Sequence, residues 1–252
     1  MVVISVTPRR VVPRGRVSIN GAGLVTGGTI DLNAVTGIGN TTALELSGAA
    51  ISADTTGGNI DLNNAIAATY SSLTTGTGSI IVDNTGAATF TTATTTDGLI
   101  DLETISGNLT VGTSVTAGGS NKNVTLTTTT SGNVILTGTT TAADDTVTVT
   151  SAGSINGAGL VTGWTIDLNA VTGIGNTTAL ELTGSSISAE TTFNTDLTEV
   201  ADLEKHLAPL GLLNTGVPGE VSVTLAASSV EAFKKAKERI RDNIRKATPP
   251  MR

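Results

Sequence analysis

The sequence predicts an all-β fold, a β-solenoid of short strands stacked coil upon coil, with a small α-helical C-terminal segment. Three observations carry this. Apolar–polar–apolar triplets recur through the middle of the chain, and a period of two marks strands with one buried and one wet face. Ile60, Ile80 and Ile100 fall twenty residues apart, each shortly after a glycine, and nearby intervals drift around that value. A repeat of this length with several short strands per period is the signature of a solenoid. Aromatic residues make up only 2% of the chain, so its core has to be built in thin layers from Ile, Val, Leu and Ala.

The triplets Ile30-Asp31-Leu32, Ile60-Asp61-Leu62, Ile100-Asp101-Leu102 and Ile166-Asp167-Leu168 are the clearest strands. Leu44-Glu45-Leu46, Leu109-Thr110-Val111, Val124-Thr125-Leu126 and Val147-Thr148-Val149 follow the same rule. Thr, Val and Ile, which suit a pleated and half-buried surface, fill them. Gly57-Gly58-Asn59 and Ser131-Gly132-Asn133 punctuate them with residues that tolerate turn conformations. Ile60, Leu62, Ile100 and Leu102 are expected to point inward as stacked aliphatic ladders, and Asp61, Asp101 and Thr125 outward. At about 4.8 Å per coil, residues 17–192 would form roughly eight or nine coils, a rod on the order of 40 Å.

A long internal duplication lies within this region. Residues 18–54 recur as residues 154–190, a shift of 136 positions. The copies differ only at Gly28/Trp164, Ser47/Thr183, Ala49/Ser185, Ala50/Ser186 and Asp54/Glu190. Each coil of a solenoid touches only its neighbours, so duplicating a whole number of coils extends the rod without disturbing it. The expectation is therefore a super-repeat of whole coils. Tryptophan cannot replace a glycine held at positive φ without strain. Either position 28 is permissive, or something covers the Trp164 ring, and residues 193–213 are the expected cover.

The ends of the chain differ from this body. Residues 1–16 form an atypical N-terminal segment, read as an edge strand or cap. Residues 193–252 read as helix–strand–helix, a C-terminal cap or tail. Leu197, Val200, Leu203, Leu207 and Leu210 have helical spacing, Glu220–Leu225 alternates as a strand, and residues 228–246 form the clearest helix. Ser228 and Glu231 make a capping box, Val230, Phe233, Ile240 and Ile244 share a face, and Pro249-Pro250 end it. A solenoid with open ends exposes unpaired strand edges, which is the physical reason to expect a cap.

Charge is divided by position. From Val17 to Glu204 the only basic residue is Lys122, within a chain of net charge -7. An acidic body argues against nucleic acid as a partner. No stretch approaches the ~20 apolar residues of a membrane span. The apolar run at residues 2–6 is too short for a signal peptide, and Pro8-Arg9-Arg10 interrupts it. The absence of Cys removes disulfides and thiolate metal sites.

Gly-Asn-Ile-Asp-Leu, Gly-Ser-Ile-Asn-Gly-Ala-Gly and Thr-Thr-Ser-Gly-Asn-Val-Ile-Leu resemble the repeats of large filamentous-haemagglutinin-like bacterial adhesins. The resemblance covers residues 17–192. It implies a right-handed parallel β-helix, a cell-surface or extracellular location, and a structural or adhesive role in a fibre without catalysis. The partners it implies are host-cell or surface glycans and proteins, or neighbouring copies of the same fibre.

The residues hold few alternatives to that role. His206 is the single histidine, which rules out a histidine metal cluster and leaves any Ser-His-Asp triad dependent on one residue of the helix expected at 196–210. Asp61 and Asp101 occupy equivalent triplet positions, and Asp31 and Asp167 repeat them across the duplication. Paired carboxylates could serve a carbohydrate-active enzyme if their separation and environments suited it, or could bind calcium. Recurrence along the rod instead fits solvated acids that keep it soluble. No catalytic, cofactor or metal residue is assigned. Residues 125–129, 137–141 and 146–150 are rich in threonine. Regular outward Thr-x-Thr rows can order water, as in some ice-binding proteins. These arrays are few and irregularly spaced, so β-propensity and solubility account for them. Glycan, calcium and ice are thus the ligands of the alternative reading, a ligand-binding solenoid.

Overall fold

The computed structural model describes residues 18–192 and 220–225, the latter by backbone alone. It is an all-β parallel solenoid of about eight coils. Each coil runs over three faces, here called A, B and C. On face A, Ile60–Asn64, Ile80–Asn84, Ile100–Ser106 and Val124–Ser131 lie in parallel register, continued by the later parts of Thr139–Ser151 and Leu160–Ala170 and by Ser186–Thr192. Faces B and C are shared by strands that bend round the corner between them, such as Ala68–Thr77, Ala88–Thr95 and Leu109–Ala117. Val134–Leu136 continues face B, and the start of Thr139–Ser151 continues face C.

The register joins the residues that the sequence spacing had singled out. Ile60, Ile80, Ile100, Val124, Val147 and Ile166 are successive partners on face A. Leu62, Val82, Leu102 and Leu126 form the ladder beside them, and these ladder residues are fully buried. Alternation along each strand sends every second residue into the shared core. Tyr70 and Phe90 are stacked on face B with ring centroids 4.7 Å apart and planes 11° from parallel.

Corners are closed by polar ladders inside the rod. Thr55, Thr104 and Thr128 are buried, and each hydroxyl donates to a carbonyl a few residues on: Gly58 O at 3.0 Å, Gly107 O at 3.1 Å and Gly132 O at 3.1 Å. Buried backbone carbonyls are thereby satisfied where no strand can reach them. At the corner between faces A and B, Asn64 Nδ2 donates to Asn84 Oδ1 at 2.9 Å, and Tyr70 Oη donates to the same oxygen at 3.0 Å. Thr140 breaks the pattern. It is fully buried in the column of Leu73, Ala93, Val115 and Val161, and its hydroxyl has no hydrogen-bond partner. Valine has the same shape without the unpaired group, so Thr140→Val is expected to stabilise the rod by about 1 kcal/mol in chemical denaturation. A loss of stability would mean that the hydroxyl is satisfied in solution.

The duplicated copies keep the same internal register. Ile19 pairs with Ile38 as Ile155 pairs with Ile174, and Ile30 pairs with Ile51 as Ile166 pairs with Ile187. They occupy different faces, however. Ile38 continues to Ile60 on face A, whereas Ile155 stacks on Val134 of face B. Ile51 continues to Tyr70 on face B, whereas Ile166 stacks on Val147 of face A. The shift of 136 positions is therefore not a whole number of coils, and the second copy is turned about the rod axis relative to the first. The expectation of whole coils fails because an inward aliphatic residue and an outward polar one fit any face equally well.

Position 28 is permissive. A Cβ added to Gly28 meets nothing within 4 Å, and Trp164 at the equivalent position is 62% exposed. The expected cover at 193–213 lies outside the described residues, as do residues 1–17, His206 and the segments expected as C-terminal helices. The strand expected at Glu220–Leu225 is present. It pairs antiparallel with Ser186–Thr192, in contrast to the parallel pairing of the coils, and occupies the edge of the last one.

Candidate functional site

The outward positions of the faces are where this rod can meet other molecules. The depression lined by Asn133, Ile135, Thr137, Ser154, Asn156 and Thr177 on face B is shallow and open to solvent. Faces A and C carry different chemistry.

Face A is acidic in its first half. Asp61, Ile81 and Asp101 are register partners, so the two aspartates stand two coils apart, about 10 Å, with an isoleucine between them. In the adjacent outward column Asn63, Asp83 and Glu103 follow one another. Asn63 Nδ2 donates to Glu45 Oε1 at 2.8 Å, and Thr129 Oγ1 donates to Glu103 Oε1 at 2.6 Å. Asp167 lies further along the Asp101 column, past Thr125 and Thr148. Asp31 does not join it, since it precedes Ser52 in an outward column of face C. The equivalence of the four aspartates expected from their triplets thus holds for Asp61, Asp101 and Asp167 alone. Asp31 and Asp167 share only their local partner, a serine hydroxyl of the next coil: Ser52 Oγ and Ser188 Oγ each donate to the carboxylate at 2.7 Å. Among the described residues no group of three or more His, Cys, Asp or Glu side chains is placed to hold a metal ion.

Partial burial raises the pKa of Asp61, Asp83 and Asp101 above the usual carboxylate value, with neighbouring acids adding to the effect: Asp83 on Asp61, Glu103 on Asp83, and both Asp83 and Glu103 on Asp101. A carboxylate that binds its proton more tightly in the fold than in the unfolded chain stabilises the fold at low pH. That contribution is complete below the unfolded pKa of about 3.9 and is lost as pH rises through the folded value. Asp101→Asn should accordingly raise the melting temperature at pH 7, and the gain should vanish by about pH 3. Thermal melts of parent and variant across pH test this, and an equal gain at both pH values would assign the effect to something other than charge.

Face C is uncharged over four coils. Thr74, Thr94, Thr116, Thr141, Thr162 and Thr183 form one continuous outward column. Two residues before each of the first four stand Ser72, Thr92, Ser114 and Thr139, which form a second column. The result is four stacked rungs, each with two outward hydroxyls: Ser72/Thr74, Thr92/Thr94, Ser114/Thr116 and Thr139/Thr141. Ser52/Asp54 precedes them, and Leu160/Thr162 and Glu181/Thr183 follow. Inward neighbours Leu73, Ala93, Val115 and Thr140 are fully buried and fix the strands from beneath. The expectation that the threonines form only short, irregular arrays is overturned on this face. Two of the three Thr-rich stretches contribute to face A, where Thr125/Thr127 and Thr148/Thr150 make a smaller set of two rungs. The third, at 137–141, supplies the last of the four rungs on face C.

Asn40, Asn108 and Asn123 join successive coils. Their side-chain oxygens accept the backbone N–H of Asn59 at 2.9 Å, Asn133 at 2.9 Å and Thr146 at 3.1 Å, each on the next coil.

In comparison with known proteins, no family model matches the chain, no curated protein matches it and no solved structure matches it.

Proposed function

We propose that the chain is a structural segment of a bacterial cell-surface or secreted fibre, of the filamentous-haemagglutinin-like kind that its repeats resemble. It acts without catalysis, holding its side faces in fixed positions for surface glycans or proteins, or for neighbouring fibre copies. The supporting observation is the turned duplicate. One stretch of sequence, changed at five positions, serves on different faces of the same rod with its internal register intact. An active site depends on where each group stands, while a scaffold built of coils that touch only their neighbours does not. The replicated Asp31–Ser52 and Asp167–Ser188 contacts behave as scaffold parts in this sense.

Antibody raised against the purified chain tests the proposal on the cells that produce it. Labelling of intact, unpermeabilised cells, or recovery of the protein from their medium, is the expected result. Labelling that requires lysis would overturn it.

A further inference from the structure

The Ser/Thr face has a property that none of its hydroxyls has singly, which is two-dimensional order. Along the rod the hydroxyls repeat at the strand spacing of about 4.8 Å, and across each rung at two residues of extended chain, about 6.6 Å. A soluble ligand meets a few such groups. A crystalline surface can meet all of them at once. From this lattice we propose that face C binds ice, through the rungs from Ser72/Thr74 to Thr139/Thr141.

Several features of the face support that occupant. Its repeat along the rod, about 4.8 Å, is close to the short repeat of water oxygens on the prism faces of hexagonal ice. Threonine is held stiffly at χ1 by its branching, and six of the eight positions are threonine. The parallel ladder beneath pins the backbone, so the hydroxyls need little ordering on binding. Each threonine presents a methyl group beside its hydroxyl, so the surface anchors water at regular points and excludes it between them. Charges would hold their own hydration shells and spoil this order. They stand outside the rungs: Asp54 before, Glu181 after, and Asp97, Asp144 and Asp145 past Thr94 and Thr141, where the chain leaves the face. Within the array Ser72 Oγ and Thr74 Oγ1 lie 3.3 Å apart, and the other rung hydroxyls make no hydrogen bond to the described residues. Aromatic platforms, the usual means of gripping a sugar ring, are absent from the rungs. The inference rests on the register of face C alone and does not depend on the rod being part of a surface fibre.

Four rungs form a small array, so the expected activity is faceting of ice crystals and inhibition of recrystallisation. The experiment compares the full chain with Thr94→Lys/Thr116→Lys, placed at the centre of the array, and with Thr125→Lys/Thr148→Lys on face A. Circular dichroism melts establish that each variant is folded. The parent and the face A variant should facet ice and arrest recrystallisation, and the face C variant should lose both effects. A fluorescently labelled parent chain should also coat a single ice crystal grown in its presence, a readout that needs no variant to fold. A parent chain excluded from the growing crystal would overturn the proposal. So would equal activity in the parent and a folded face C variant. Sedimentation equilibrium distinguishes the rival occupant: a dimer that Thr94→Lys/Thr116→Lys converts to monomer would make face C an interface between copies of the chain, and would also overturn it.

Discussion

Phe90→Ala is expected to lower stability by about 3–5 kcal/mol, the range for removing a buried aromatic ring. Phe90 is fully buried and stacked on Tyr70, with ring centroids 4.7 Å apart. Tyr70 is in turn tied through its hydroxyl to Asn84, which accepts the bond at 3.0 Å. Loss of the Phe90 ring therefore removes packing from Tyr70 and loosens a corner ladder. A globular core could partly collapse into the space. Here the coils on either side are fixed by the backbone ladder, at about 4.8 Å per step, so collapse is limited. The fall in melting temperature should be on the order of 10 °C. A loss under about 1 kcal/mol, the size of an ordinary substitution, would show that the ring pair is not held as described.

Gly98→Ala is the second large effect, expected at about 3 kcal/mol of overpacking. A Cβ on Gly98 would be driven into the backbone carbonyl of Gly78, and one on Gly78 into the carbonyl of Gly58. These glycines stack where the chain turns from face C to face A, and Gly98 N donates to Gly118 O at 3.2 Å. The obstacle is main chain, held by its own hydrogen bonds, and it cannot rotate away as a side chain would. Gly28→Ala is the matched control, since its Cβ would meet nothing within 4 Å. That change should be neutral or stabilise by about 0.4–1 kcal/mol through the unfolded chain. Equal losses from the two substitutions would show that the close stacking of corner glycines is not what limits position 98.

The ladders of face A were legible because their strands keep one alternation and nearly one spacing. Ile60, Ile80 and Ile100 announced their own register, and Asp61 and Asp101 followed as outward residues. Face C was hidden by arithmetic. Its threonines fall at unequal intervals, because a bulge at Gly112-Thr113 and the turn before Val124 take up extra residues outside the rungs. A sequence scan for a fixed period loses the column at those points, but the sheet does not, since hydrogen bonding restores register after each insertion. The corner ladders were hidden for another reason. Asn64, Asn84 and Thr104 are polar and carry no mark of burial in the sequence, yet each faces inward to satisfy backbone or a neighbouring side chain. The turn between the duplicated copies left no trace at all, since face is a property of the stack and not of the segment. As for the candidate site, the sequence offered its acids readily and its hydroxyl lattice only as scattered threonines.

The turned duplicate bears on how the gene can change. If copies had to enter in phase with the coils, most recombination between repeats would yield a chain that fails to fold. Freedom of face removes that filter and leaves one requirement, that the junction return the strand alternation to step. Unequal exchange between the two near-identical stretches can then lengthen or shorten the product in a single event. Populations carrying this gene should differ in the number of 136-residue units more than in the residues within them.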